Sequence, residues 1–530
     1  MMSRLAGIPG ITFALVFVWK VGLLLFTTQP VPANDAFFYD GAVVNLLLHG
    51  KYCNPALALV LPISGNEVFC AYPPLYQVVL LGWMSVFGTS APAAMWLHVL
   101  LFGGYAFVLL KIFSRLQMPA WCVNLAGLFL FSITFHDRPD SVAHLLGMLA
   151  VYAWVRGGSA ELRSGGIREV SVGAPNQSSA LPSRDPWLAS GLLLLTFGTS
   201  LQIGGVYFLW LAALIYRAAA LKQIKLPWAM TGVWVGTLAG LIALVKFGFP
   251  HFWAGFLEHA RMTPTVVGWR VPQISELIKI GRTVPGILAV GGMFALLAAQ
   301  RKIWSERLAK SPAGLLAITG TLVAGVVVGG SLLVLSANSI MIANYLQPVV
   351  VGCFLAALAG SLSEIKIRNF VIAGFVAAAL LASVRAIGLT TWGVACARDV
   401  SYAQALAQVR AELASVTDGK TVLVSSAFLY ETAQRTNITW IHSDWPAVWS
   451  PAHREIEALL KVQPVKLILT QFDYYRHHQP LLAELKARSE VKAVRVTNDA
   501  SIPVPDANLA LQKVVQHVSW SPVVVDISWR

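Results

Sequence analysis

An all-α polytopic membrane domain of about eleven transmembrane helices, followed by a C-terminal extracytoplasmic α/β domain, is the architecture this sequence predicts. Three observations predict it. Of 530 residues, 56% are hydrophobic and only 12% are charged, with a mean hydropathy of +0.66, a balance that places most of the chain against lipid. Apolar runs of about 20 residues recur up to residue 392, the length at which a helix crosses the hydrocarbon core with its backbone satisfied internally. Beyond about Arg398 the runs shorten into the alternating strand and helix pattern of a soluble domain.

The expected spans are 11–28, 90–113, 119–136, 140–156, 187–200, 203–217, 227–247, 284–300, 313–335, 345–362 and 370–392. The basic residues settle their direction. Arg4, Lys111, Arg115, Arg156, Arg184, Arg217, Lys225, Arg301, Lys310 and Arg368 all fall on one set of connections, which the positive-inside rule assigns to the cytoplasm. Residues 29–89 and the tail then lie outside. A single helix over 187–217 would break that parity, so this stretch is read as a hairpin. The net charge of +14 is accounted for by topology, and nucleic acid is excluded as a partner. The first apolar run is read as an uncleaved anchor, because Val31-Pro32-Ala33 makes a poor cleavage site. Residues 157–186, rich in Gly, Ser and Pro, read as a linker.

The chain divides into a membrane domain, 1–392, and a soluble domain, 393–530. In the latter, TVLVSS, VKLILT, VKAVRV and SPVVVDIS read as strands, between helical stretches near 401–415, 452–462 and 479–488. No GxxxxGK[ST], HExxH, CxxC or GxSxG pattern occurs, so nucleotide hydrolysis and zinc chemistry have no support.

Polar residues gather on the expected outer loops, 29–89, 137–140, 248–283 and 336–344. The first carries Asp35, Tyr39, Asp40, Tyr72 and Tyr76, together with Cys53 and Cys70, which an oxidising compartment would allow to pair. The second is His136-Asp137-Arg138-Pro139-Asp140, where Arg138 either clamps a neighbouring acid or contacts phosphate. The third brings His251, His259, Arg261, Arg270, Lys279 and Arg282 to a side otherwise poor in cations. Guanidinium forks there suit a lipid phosphate, and anionic headgroups would explain them as well. Within the spans, His98 and His144 read as hydrogen-bonded packing residues, and Lys20 either packs or faces a lipid-phosphate groove.

Four of these places resemble the GT-C superfamily of polytopic glycosyltransferases, most closely the branch of protein mannosyltransferases and aminoarabinose transferases that uses polyprenyl-phosphate sugars. They are the acid behind the first span in Asn34-Asp35-Ala36-Phe37-Phe38-Tyr39-Asp40, and the aromatic proline turn Ala71-Tyr72-Pro73-Pro74-Leu75-Tyr76 with the helix ending at Phe87-Gly88. The others are the short charged loop 136–140 and Asn344-Tyr345-Leu346-Gln347-Pro348. The resemblance covers the membrane domain in outline. Two positions depart from it: Asn344 stands where arginine is common, and Gln202 roughly where one branch has lysine.

The resemblance implies inverting transfer of a sugar from a polyprenyl phosphate to a glycan, lipid or protein acceptor outside a cell membrane. Asp35 would be the general base, and Asp137 and Asp140 would help shape the site. Arg138, Arg261, Arg270, Arg282, Asn344 and Tyr345 would hold the donor phosphate, and Tyr39, Asp40, Tyr72 and Tyr76 would meet sugar or acceptor. Acid pairs suit Mg²⁺ or Mn²⁺, yet the loop lacks a DxD triplet, so no metal is assigned. The rival classes are a flippase for lipid-linked sugars, which would place its ionisable residues near the bilayer midplane, and a membrane-anchored binding or assembly protein.

Overall fold

The structure, a computed structural model, describes residues 8–32, 34–59, 61–116, 118–131, 138–164, 185–220, 228–262, 319, 368–397, 400–443, 455–497 and 509–530. It is mostly helical, with a C-terminal mixed sheet. The helices that follow the apolar runs are α1 (Ile11–Thr27), α4 (Ala91–Arg115), α5 (Ala120–Leu130), α6 (Asp140–Ser164), α7 (Asp185–Phe197), α8 (Leu201–Ala220), α9 (Trp228–Ala243) and α11 (Arg368–Cys396). Among the described residues α4 alone is long and apolar enough to cross a membrane unaided. Residues 234–248 and 250–259 pass that test only as a pair bent by 105°. The spans expected at 284–300, 313–335 and 345–362 lie outside the described residues.

Local chemistry sets the helix ends. Ser90 caps α4 by accepting from the Ala93 N–H, and Pro92 occupies the first turn, where no intrahelical donor is needed. The stretch 187–217 is broken into two helices packed on each other, α7 and α8, as expected of a hairpin. Gly198 N–H closes on Leu194 O and Ser200 N–H on Thr196 O between α7 and α8. Helix α6 packs on both α4 and α7, while α1 lies against α4 and α5. A methyl group on Gly147 of α6 would stand 2.3 Å from the Tyr207 ring of α8, so this close approach requires glycine.

Residues 30–76, expected as a polar loop, are largely helical. Here α2 (Asn34–His49) is followed by short turns at Pro55–Leu57 and Pro62–Asn66 and then by α3 (Leu75–Phe87), which ends at Gly88 (φ 85) as expected. Helix α2 buries Phe37, Phe38, Tyr39, Asp40, Ala42, Val43 and Val44. Its polar residues hide this from a hydropathy reading; burial on every side comes from being enclosed between the bundle and the C-terminal domain. Beyond α9, α10 (Pro250–Met262) returns toward the turn at Pro62–Asn66.

The sheet contains β1 (Thr421–Val424), β2 (Thr439–His442), β3 (Lys466–Thr470), β4 (Val491–Thr497) and β5 (Pro522–Trp529) in the order β2-β1-β3-β5-β4. The first three are mutually parallel, and β5 runs antiparallel to both β3 and β4. Helices α12 (Tyr402–Ala414), α14 (Glu455–Val462) and α15 (Gln479–Lys486) stand near the expected positions, joined by α13 (Leu429–Thr432) and α16 (Leu509–Val518). The pattern reading missed β2 and α16. Strand β1 is as short as β2, but its TVLV is a β-branched apolar run, whereas the TWIH of β2 is not.

Alternation of side chains divides the core. Leu423, Leu467 and Leu469 join Ile456, Leu482 and Val525 on one side of the sheet. Val422, Val424 and Ile468 join α12 on the other, in a cluster that continues without a break into Phe37, Phe38, Tyr72, Tyr76 and Met95. One hydrophobic core therefore spans the C-terminal domain and the end of the bundle that carries α2.

Candidate active site

Asp40 lies on α2 with no exposed surface. A buried carboxylate needs donors, and two phenols supply them. Tyr76 of α3 donates to Oδ1 at 2.8 Å, and Tyr430 of α13 donates to Oδ2 at 2.8 Å. The Tyr76 oxygen is also 3.2 Å from His98 Nε2, and His98 Nδ1 is 3.0 Å from Ser141 Oγ. Ser141 reaches the Arg138 carbonyl at 3.0 Å, and Arg138 Nε donates to Asp140 Oδ2 at 2.7 Å.

Counting protons constrains this chain. Because Tyr76 has given its one hydrogen to Asp40, it can only accept from His98, whose Nε2 must carry a proton. Ser141 Oγ stands between His98 Nδ1 and the Arg138 carbonyl, so its one hydrogen serves one of them at a time.

Aromatic rings wall the site. Tyr39 and Tyr72 meet edge to face at 4.7 Å, Arg138 stands 5.9 Å from the Tyr39 ring centre, and His259 of α10 packs 5.3 Å from Phe38 and 5.5 Å from Tyr72. Burial lowers the His259 pKa to about 4, so it contributes a neutral ring at physiological pH. The amide of Asn54 caps the wall, donating to the Phe37 and Phe38 carbonyls at 2.8 and 3.2 Å. Gly41 permits that approach, since a methyl group there would stand 2.5 Å from Asn54 Oδ1.

Of the residues expected at the site, Tyr39, Asp40, Tyr72, Tyr76, Arg138 and Asp140 come together. Asp35 lies in the first turn of α2, five positions before Asp40, and its side chain is outside the described residues. So is the side chain of Arg261 on α10, and so are Asp137, Arg270, Arg282, Asn344 and Tyr345. Of the two readings of Arg138, the clamp is observed: it pairs with Asp140, both side chains being under a tenth exposed. The expected Cys53–Cys70 disulfide is absent. Both are free, Cys53 accepting from Asn45 at 3.3 Å and Cys70 donating to the Val68 carbonyl at 3.2 Å. Each buried thiol faces a neighbour of its own, Cys53 the Asn45 amide and Cys70 the Ser64 hydroxyl at 3.7 Å as well.

His98 and His144 are both buried and hydrogen-bonded, as expected: His98 links Tyr76 of α3 to Ser141 of α6, and His144 Nδ1 lies 3.2 Å from the Tyr207 hydroxyl. Sequence reasoning missed Ser141 and Tyr430. The first follows a charged run and was within reach; the second sits in an apolar turn 390 residues from its partner and carries no local signal. Among the described residues no group of three or more His, Cys, Asp or Glu is arranged to hold a metal ion.

No protein-family model and no curated protein matches the chain. It is similar to the crystal structure of ArnT from Cupriavidus metallidurans bound to undecaprenyl phosphate, at 14% identity over 97% of each chain with a TM-score of 0.47. It is also similar to the apo oligosaccharyltransferase of Archaeoglobus fulgidus, at 11% identity over 89% of this chain and 71% of that one, with a TM-score of 0.43. Both TM-scores lie under 0.5, so the functional reading rests on the geometry of the site.

Proposed function

We propose that this chain is an integral-membrane glycosyltransferase that moves a sugar from a polyprenyl phosphate to an acceptor hydroxyl on the extracytoplasmic face, with inversion. One observation carries the reading. Three sequence elements of the GT-C resemblance, around residues 34–40, 71–76 and 136–140, converge through Asp40, Tyr76, His98, Ser141 and Arg138 into one buried hydrogen-bonded chain. They are far apart in sequence, and the fold brings them to one end of the bundle.

In the proposed step the Asp35 carboxylate takes the acceptor O–H proton as that oxygen attacks the anomeric carbon. The bond from that carbon to the phosphate oxygen breaks, and polyprenyl phosphate leaves with the electron pair. Asp40, with both oxygens already accepting from phenols, is suited to holding α2 in place rather than to taking a proton. Arg261, Arg270 and Arg282 are the proposed partners of the departing phosphate, with Asn344 and Tyr345 beside them. Asp137 and Tyr72 are assigned to acceptor or sugar. A divalent cation is not required by this scheme.

The test is label transfer from a panel of polyprenyl-phosphate sugars to membrane acceptors by the reconstituted full-length protein, comparing wild type with Asp35→Asn at matched folding. Transfer lost only in the variant supports the assignment. Equal transfer by both removes Asp35 from the mechanism, and failure with every donor removes the transferase reading in favour of lipid-sugar translocation.

A further inference from the structure

The C-terminal domain holds α2 and the segment leading into it at three points. Ahead of the helix, Trp520 Nε1 donates to the Thr28 carbonyl at 3.1 Å and Gln29 Nε2 donates to the Val518 carbonyl at 2.6 Å. At its far end, His49 Nε2 lies 2.7 Å from the Ala433 carbonyl. Between them, the Tyr430 hydroxyl reaches Asp40 Oδ2. Beside that contact Phe37 packs against His442 and Trp440 at the end of β2, with ring centres 4.4 and 5.4 Å away.

The first and last grips use backbone carbonyls and could hold any helix. The middle one differs, because it joins two fully buried polar side chains at the residue from which the hydrogen-bonded chain to Arg138 starts. It also lies five positions from Asp35 on the same rigid helix. A helix pinned before, at and after Asp40 cannot tilt without breaking at least one of these bonds.

We infer that Tyr430 is a positioning residue supplied by the C-terminal domain, one that fixes Asp40 and through it the placement of α2, so that this domain is an integral part of the active site. The inference rests on the transferase reading for its kinetic consequence, though not for its structural one. Removing the hydroxyl takes this donor from the fully buried Asp40 Oδ2, and the carboxylate is expected to shift toward the donors it keeps, Tyr76 among them. Displacements of about 1 Å at a catalytic group can cost on the order of a hundredfold in rate.

The experiment uses reconstituted full-length protein carrying Tyr430→Phe, Asp40→Ala or both. Tyr430→Phe is expected to lower kcat about tenfold or more while donor KM changes less than about threefold. The double variant is expected to be no slower than Asp40→Ala alone, because alanine already removes the acceptor of the Tyr430 hydroxyl. Unchanged kcat in Tyr430→Phe, or losses that multiply in the double variant, would overturn the inference. Hydrogen exchange over residues 37–45, measured without substrate, tells its failure from that of the transferase reading. Faster exchange in Tyr430→Phe, in a protein that transfers from no donor, sinks the transferase and leaves the grip on α2 standing; unchanged exchange sinks the grip whatever transfer does.

Discussion

The ring of Phe37, on the helix behind the first apolar segment, lies 4.4 Å from the imidazole of His442 at the carboxyl end of β2. Two parts of the chain some four hundred positions apart thus share a wall of one core, and ionisation of the histidine would place a charge in it.

His442 is buried and bonded to Ser426 Oγ at 2.9 Å, and burial, aided by the nearby His478, lowers its pKa to about 3. For a base with a depressed folded pKa, the unfolded state takes up a proton first as pH falls. Stability is therefore expected to drop as pH falls from about 6.5 toward 3. Melting temperature against pH should show this slope in wild type, and a flatter one in His442→Gln.

Glu431 gives a slope of opposite sign. Its side chain is 3% exposed, with Arg410 at 3.8 Å, and burial raises its pKa from 4.5 to about 7. Between those values the unfolded state has lost the proton that the folded state retains, so stability falls as pH rises, by about 3 kcal/mol in all. Glu431→Gln should gain stability progressively over wild type between pH 4.5 and 7, measured by thermal unfolding in matched detergent. A constant difference across that range would mean the carboxyl does not titrate there.

Arg138 and Asp140 form a buried ion pair. Removing one partner strands a buried charge, so Arg138→Met is expected to destabilise the protein by about 3–5 kcal/mol. Adding Asp140→Asn should recover part of the loss, and a double variant less stable than Arg138→Met would argue against the pairing. Denaturant unfolding of the purified proteins reads both.

Gly147→Ala places a methyl group against the Tyr207 ring. Because α6 and α8 meet closely there, the substitution is expected to cost about 1–3 kcal/mol in thermal unfolding. Gly191→Ala on α7, where a methyl group meets nothing within 4 Å, is the control that should leave stability unchanged or slightly raised.

Much of the site was legible before any coordinates. Asp40, Tyr72, Tyr76 and Arg138 stand in polar clusters beside apolar runs, where each needs a reason to be present. Spacing says nothing about which of Asp35 and Asp40 faces a phenol, and the fold gives that place to Asp40. Cys53 and Cys70 share one loop, which makes pairing attractive, and the fold gives each thiol its own partner.

Among the described residues, the sequence by itself determined the helices that follow apolar runs, the break between α7 and α8, and the α/β character of the last 130 or so residues, because hydrophobic period is a local property. Only the tertiary structure decided that residues 34–49 form a buried helix and that Tyr430 completes the setting of Asp40. Those outcomes depend on burial and on partners hundreds of residues away, and no local pattern encodes the free energy of a contact between segments that meet only after folding.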